Sequence, residues 1–128
     1  MPHITIEYSA NLDDLHNVQS LVDAVHAAAL EHGLSALEAL RTRAARRENY
    51  RIADGDTSHL FVAIIARIGP GRSDDAKRRF IEALIDAAEA ELDHIGSANA
   101  CAFSVEVQEI DAEFRINRNH VRTKVLEA

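Results

Sequence analysis

Tryptophan is absent from this 128-residue sequence, cysteine and methionine occur once each, and proline occurs only twice. The lone cysteine, Cys101, has no internal partner, which excludes a disulfide framework. It lies in an apolar alternating run, where a small buried side chain is expected rather than a nucleophile. Long apolar runs are missing too: no window approaches the roughly 20 residues that span a bilayer, so no membrane association is expected. No basic or apolar leader precedes His3-Ile4-Thr5-Ile6, and the expected location is cytoplasmic. A basic excess is also lacking. The formal charge of −7 argues against nucleic acid as a partner, because phosphate binding needs a basic surface. There is no Walker or dinucleotide motif, so no nucleotide cofactor is expected. The seven histidines (His3, His16, His26, His32, His59, His94, His120) lack metal-ligand spacing such as HExxH, and they read as surface or helix-end residues.

What is present is the composition of one ordinary globular domain, residues 1–128, with 47% apolar and 27% charged residues. Ile4, Ile6 and Tyr8 alternate with Thr5 and Glu7, as in a half-buried strand. Asn11, Asp13 and Asp14 offer capping chemistry for a helix carrying Leu15, Val18, Leu21, Val22, Val25 and Ala29, with Gly33 as its stop. Leu37 to Ala45 suits a helix or a strand equally, and Ala53-Asp54-Gly55 reads as a turn. His59 to Ile68 is nearly continuous in apolar residues, which predicts a strand buried on both faces. Beyond Gly69-Pro70-Gly71, the Ser73-Asp74-Asp75 run opens a second helix with Phe80, Ile81, Leu84, Ile85, Ala88 and Leu92 on its inner side, ending at Gly96. Its Glu82, Glu89 and Glu91 read as a solvated face. Cys101 to Val107 alternates again, and a short strand is expected around Phe114 to Asn117.

Strand, helix, strand therefore occurs twice, in pseudo-repeats of about 1–58 and 59–128. The pairs Asp13-Asp14 and Asp74-Asp75 lie about 61 residues apart, an offset that sets Pro2 opposite Ala63 inside the second buried strand. The fold class is α+β: tandem βαβ units forming a four-stranded sheet with two helices on one face. The other face would stay open in a single chain, and oligomerisation is expected to cover it.

The apparent truncation gives Pro2 meaning. Removal of Met1 would leave a secondary amine at the start of a sheet strand. An α-amino group has a reference pKa near 7.7–8.0, and apolar walls or nearby arginines push it towards neutrality, which suits general base and acid work. A proline that simply starts an edge strand is the structural alternative. Gly69-Pro70-Gly71-Arg72-Ser73 runs from a strand into a helix start, where backbone N–H groups and a guanidinium suit a carboxylate as well as an ordinary turn. Arg41, Arg43, Arg46, Arg47 and Arg51 form the chain's one basic cluster. If residues 40–45 form a strand, Arg41 and Arg43 share a face and can point into one pocket. Arg46 and Arg47 are expected to be solvated.

Taken in order, Met1-Pro2-His3, Glu7-x-Ser9-x-Asn11, Arg41-x-Arg43, Ala53-Asp54-Gly55, Ile68-Gly69-x-Gly71-Arg72-Ser73, Phe103-Ser104-Val105-Glu106 and the tail asparagines Asn117 and Asn119 resemble the 5-carboxymethyl-2-hydroxymuconate isomerases. These are a branch of the tautomerase superfamily, with 4-oxalocrotonate tautomerase and macrophage migration inhibitory factor as relatives. The resemblance implies a homotrimer of duplicated βαβ subunits and a mature N-terminal proline as base, matching Pro2. It also implies substrate-binding arginines at Arg41 and Arg72, with Arg43 beside them. The implied reaction is ketonisation of a polycarboxylate dienol, 5-carboxymethyl-2-hydroxymuconate, to its conjugated 2-oxo isomer in homoprotocatechuate breakdown, with no metal or organic cofactor. Two departures bear on the substrate. Arg46-Arg47-Glu48-Asn49-Tyr50 is less aromatic than the family's pattern, and the tail is longer and basic, with Arg118, Arg122 and Lys124. A tautomerase for another 2-hydroxydienoate or a phenylpyruvate-like enol, or a non-enzymatic trimeric binding protein, would carry many of the same features.

Overall fold

The computed structural model describes residues 2–32, 34–96 and 98–127. Met1 and Gly33 lie outside the described residues. The elements in chain order are β1 (His3–Ser9), α1 (Val18–Glu31), β2 (Arg41–Arg47), β3 (Leu60–Ile68), α2 (Asp74–Leu92), β4 (Cys101–Glu109) and α3 (His120–Glu127). The sheet order is β2-β1-β3-β4. Within each βαβ unit the strands are parallel, whereas β1 and β3 run antiparallel where the units meet. This is the α+β sheet that the pattern predicts, with α1 and α2 packed on one face.

Alternation settles which side each residue faces. Ile4, Ile6 and Tyr8 of β1 stand beside Leu60, Val62, Ile64, Ala66 and Ile68 of β3, and all are buried beneath the helices. The helices contribute stripes at every fourth position: Leu21, Val25 and Ala29 from α1, and Phe80, Leu84, Ala88 and Leu92 from α2. Each fully buried Val, Leu or Phe among them contributes about 1.5–3 kcal/mol relative to exposure. The opposite face of β3 carries Phe61, Ala63 and Ile65, which are only half-buried, and Arg67, which is exposed. The expectation that this strand is buried on both faces therefore fails for a single chain. Its apolar run serves a core on one side and an uncovered sheet on the other.

The asparagine and serine of Glu7-x-Ser9-x-Asn11 hold the two units together. Ser9 is fully buried, and its Oγ accepts from the Phe61 N–H at 3.0 Å. Asn11 Nδ2 donates to the carbonyls of His59 (2.7 Å) and Thr57 (3.3 Å). Both side chains fasten the end of β1 to the entry of β3.

Several expectations need correction. Residues Ala10–Asp14 form a 3-10 turn, and α1 begins only after Asn17, whose side chain caps the Gln19 N–H. Asp13 instead accepts from the Tyr8 hydroxyl and pairs with Arg46 at 2.8 Å. Ser73 does cap α2, accepting from the Ala76 N–H. The aspartate pairs are therefore not equivalent, and the repeat offset changes. Buried residues match as Leu21 with Phe80, Val25 with Leu84 and Ala29 with Ala88, and Ile4 with Ile64 and Tyr8 with Ile68. Pro2 then falls opposite Val62, not Ala63, because both must face the helices. No strand forms at Phe114 to Asn117. Ala112–Phe114 is a 3-10 turn, and the tail ends in α3. Arg46 and Arg47 are exposed, as expected, and each also makes a surface ion pair, Arg47 with Glu7 at 2.8 Å. Glu91 likewise pairs with His16 at 3.1 Å.

Candidate active site

One end of the sheet gathers the residues that the sequence singles out. Parallel pairing sets His3 beside Arg41 and Thr5 beside Arg43, while antiparallel pairing sets His3 beside Arg67. The Pro2 carbonyl accepts from the Arg41 N–H at 3.3 Å, which extends the ladder by one residue. Pro2 itself is less than 2% exposed and continues the helix-facing set of β1. Arg41 and Arg43 lie on the other, open face, together with His3. The shared face expected for these arginines is thus observed, and it is the one opposite the Pro2 ring.

His3 lies between the two guanidinium groups. Arg43 Nη1 is 3.2 Å from Nδ1 of the imidazole, and Arg41 Nη1 is 3.4 Å from Nε2. Burial, followed by the charges of Arg43 and Arg41, holds the His3 pKa below its ordinary value, so the ring is neutral at pH 7. Arg41 also donates through Nη2 to Asn117 Oδ1 at 3.4 Å. The tail is pinned next to it, with Asn119 Nδ2 donating to the Glu38 carbonyl at 2.8 Å and Arg122 pairing with the Glu38 carboxylate at 3.6 Å.

Arg72 belongs to the same end of the sheet but to a separate group. It follows β3 by four residues, and Nη2 donates to the Leu34 carbonyl at 2.9 Å. Leu34, Ile68, Gly69, Pro70, Gly71 and Arg72 line a cavity of about 290 Å³. Gly71 takes φ +103°, a conformation that glycine adopts without strain, where the chain turns towards Arg72. In a single chain Arg41 and Arg43 meet at His3, while Arg72 is engaged with the Leu34 carbonyl.

Sequence reasoning passed over His3 and set it among scattered histidines. The signal was its position next to Pro2 on a strand parallel to Arg41-x-Arg43, which only pairing reveals. Cys101 faces the helices, and burial raises its thiol pKa to about 11, so it is not a nucleophile at neutral pH. Among the described residues, no group of three or more His, Cys, Asp or Glu side chains is placed to hold a metal ion. No described helix is long and apolar enough to cross a membrane.

The family profile for 5-carboxymethyl-2-hydroxymuconate isomerase matches residues 2–125. The chain belongs to that family. A curated relative from Escherichia coli, 5-carboxymethyl-2-hydroxymuconate Delta-isomerase, is 24% identical over 121 residues, covering 94% of this chain and 96% of its own. The crystal structure of a 5-carboxymethyl-2-hydroxymuconate isomerase from Deinococcus radiodurans R1 superposes with a TM-score of 0.87 at 25% identity, over 97% of this chain and 93% of the other. A more distant fold neighbour, a fused 4-OT wild-type symmetric trimer, reaches a TM-score of 0.59 at 17% identity, over 84% and 85% of the two chains. Membership of the 5-carboxymethyl-2-hydroxymuconate isomerase family makes this protein an enzyme of the isomerase and tautomerase class.

Proposed function

We propose that this chain, a single tautomerase domain over residues 1–128, ketonises 5-carboxymethyl-2-hydroxymuconate to its conjugated 2-oxo isomer in homoprotocatechuate catabolism, in the cytoplasm and as a homotrimer. The observation that carries the reading is the joining of Pro2 to Arg41 in the strand ladder, at the sheet end where Arg43 and the Arg72 loop also lie. With Met1 removed, the Pro2 nitrogen is a secondary amine on a buried ring, at a strand end that also carries several arginines. It takes the proton from the 2-hydroxyl and returns one at carbon 5, so that the enol oxygen becomes the carbonyl and the double bonds shift. Arg41 and Arg72 bind substrate carboxylates and stabilise the charge that develops on the dienolate, with Arg43 beside them in the substrate site. Each charge-assisted hydrogen bond contributes about 1.5–3 kcal/mol, enough to orient a tricarboxylate. None of these steps calls on a metal or an organic cofactor.

Trimerisation is supported by the open sheet face, where Phe61, Ala63 and Ile65 form an apolar strip between polar strands, and by the trimeric assembly of the fused 4-OT neighbour. The test is a panel of enols followed in the ultraviolet: 5-carboxymethyl-2-hydroxymuconate, 2-hydroxymuconate and phenylpyruvate. The reading expects kcat/KM highest for the first, because only it offers the extra carboxymethyl group to the arginines. Equal or higher values for 2-hydroxymuconate or phenylpyruvate would reassign the substrate. Absence of turnover with all three would overturn the enzymatic reading.

A further inference from the structure

The contacts of His3 pose a question of hydrogen-bond capacity. A neutral imidazole has one acceptor nitrogen and one N–H, yet guanidinium donors approach both of its nitrogens. Only one of these contacts is a hydrogen bond at a time. The other sets two N–H groups face to face, and such a pair needs an acceptor between or beside them.

The two sides are not equivalent. Arg43 is the nearer, at 3.2 Å from Nδ1, and it is the exposed guanidinium of the two. Arg41 stands at 3.4 Å from Nε2 and has another acceptor, Asn117 Oδ1, on its second terminal nitrogen. The assignment that gives each guanidinium an acceptor has Arg43 donating to Nδ1, the proton on Nε2, and Arg41 held by Asn117. Arg41 Nη1 and the His3 Nε2–H then converge without an acceptor of their own.

We infer that His3 is a substrate-binding residue: its Nε2–H and Arg41 Nη1 together receive one carboxylate oxygen pair, with Arg43 fixing the imidazole tautomer and Asn117 orienting Arg41. The inference rests on the proposed reading for its substrate, but the site is built from contacts that hold whatever the carboxylate is. A planar carboxylate accepts two parallel donors in this way, as it does from a guanidinium fork. Arg43 thus acts through His3, and its role is positioning.

Asparagine and glutamine replacements separate the two nitrogens. In His3→Asn the amide reaches only as far as Nδ1, so the donor to the carboxylate is lost. In His3→Gln an N–H is restored near the Nε2 position. With 5-carboxymethyl-2-hydroxymuconate, His3→Asn is expected to raise KM about tenfold with kcat changed less than about twofold, the pattern for lost uniform binding. His3→Gln is expected to bring KM back to within about threefold of the parent. A KM in His3→Asn equal to that of the parent would overturn the inference while leaving the tautomerase reading intact.

Nitrogen-15 NMR of the unmutated protein tests the same site without turnover, using the dicarboxylate muconate as probe. The expected spectrum has a protonated Nε2 and an acceptor-type Nδ1 for His3, with the Nε2–H resonance moving on addition of muconate. A proton on Nδ1, or a resonance indifferent to muconate, would overturn the inference even if no enol is turned over.

Discussion

Replacing Arg41 with alanine separates a binding role from a structural one. In the folded chain its guanidinium makes two long contacts, 3.4 Å to His3 and 3.4 Å to Asn117, and the residue is only half-buried. Long, partly solvated contacts of this kind contribute less than about 1 kcal/mol to stability. The midpoint of thermal unfolding should therefore move by no more than about 4 °C. For the substrate the balance is different. One charge-assisted bond to a carboxylate, worth about 1.5–3 kcal/mol, corresponds to roughly a 10- to 150-fold loss in kcat/KM at about 1.4 kcal/mol per decade. Arg46→Ala is the matched control, because Arg46 pairs with Asp13 and Glu48 at the far end of β2. It should cost less than about 1 kcal/mol in stability and leave turnover unchanged. Initial rates by ultraviolet absorbance, beside calorimetric melts of both variants, decide the matter. Equal kcat/KM for Arg41→Ala and the parent would refute the reasoning, as would a loss explained by unfolding.

Other consequences follow from the same structure. Phe80 is 1% exposed at the centre of the helix–sheet core, so Phe80→Ala should lower the free energy of unfolding by about 3–5 kcal/mol in a urea titration. The His3 pKa is lowered on folding, first by burial and then by the charges of Arg43 and Arg41, with a smaller effect from Arg115. The unfolded chain therefore protonates first as pH falls below about 6.5. The stabilising contribution is present above that value and lost as pH falls towards the folded pKa, and His3→Gln should flatten this part of a stability-versus-pH curve. Cys101, with its thiol pKa raised to about 11, should react slowly with iodoacetamide at pH 8 and rapidly in denaturant, as mass spectrometry would record.

Much of the sheet was legible because alternation is a local property. Ile4, Ile6 and Tyr8 declare one face of β1, and Phe103, Val105 and Val107 one face of β4, without any knowledge of their partners. The start of α2 was legible for the same reason, since Ser73 caps it within its own turn. The start of α1 was not. Asn11 and Asp13 look like caps but are engaged with the β3 entry and with Tyr8 and Arg46, contacts made across the fold rather than along it. The last helix escaped notice because Val121 and Leu126 are exposed in the single chain and form no core-facing stripe. The site was half legible. Arg41-x-Arg43 depends only on strand alternation, whereas His3 gains its place from parallel pairing with residues 38 and 40 positions away.

The central claim is that the nitrogen of Pro2 is the base, and the direct measurement compares one protein before and after its N-terminus is freed. Protein carrying a cleavable N-terminal extension is assayed for ketonisation of 5-carboxymethyl-2-hydroxymuconate, then cleaved to begin at Pro2, checked by mass and assayed again. The account predicts a gain of about 10²–10⁴-fold in kcat on cleavage, the range a positioned general base supplies. Equal rates before and after cleavage would mean that an amide nitrogen serves as well as an amine, which no base mechanism at Pro2 allows.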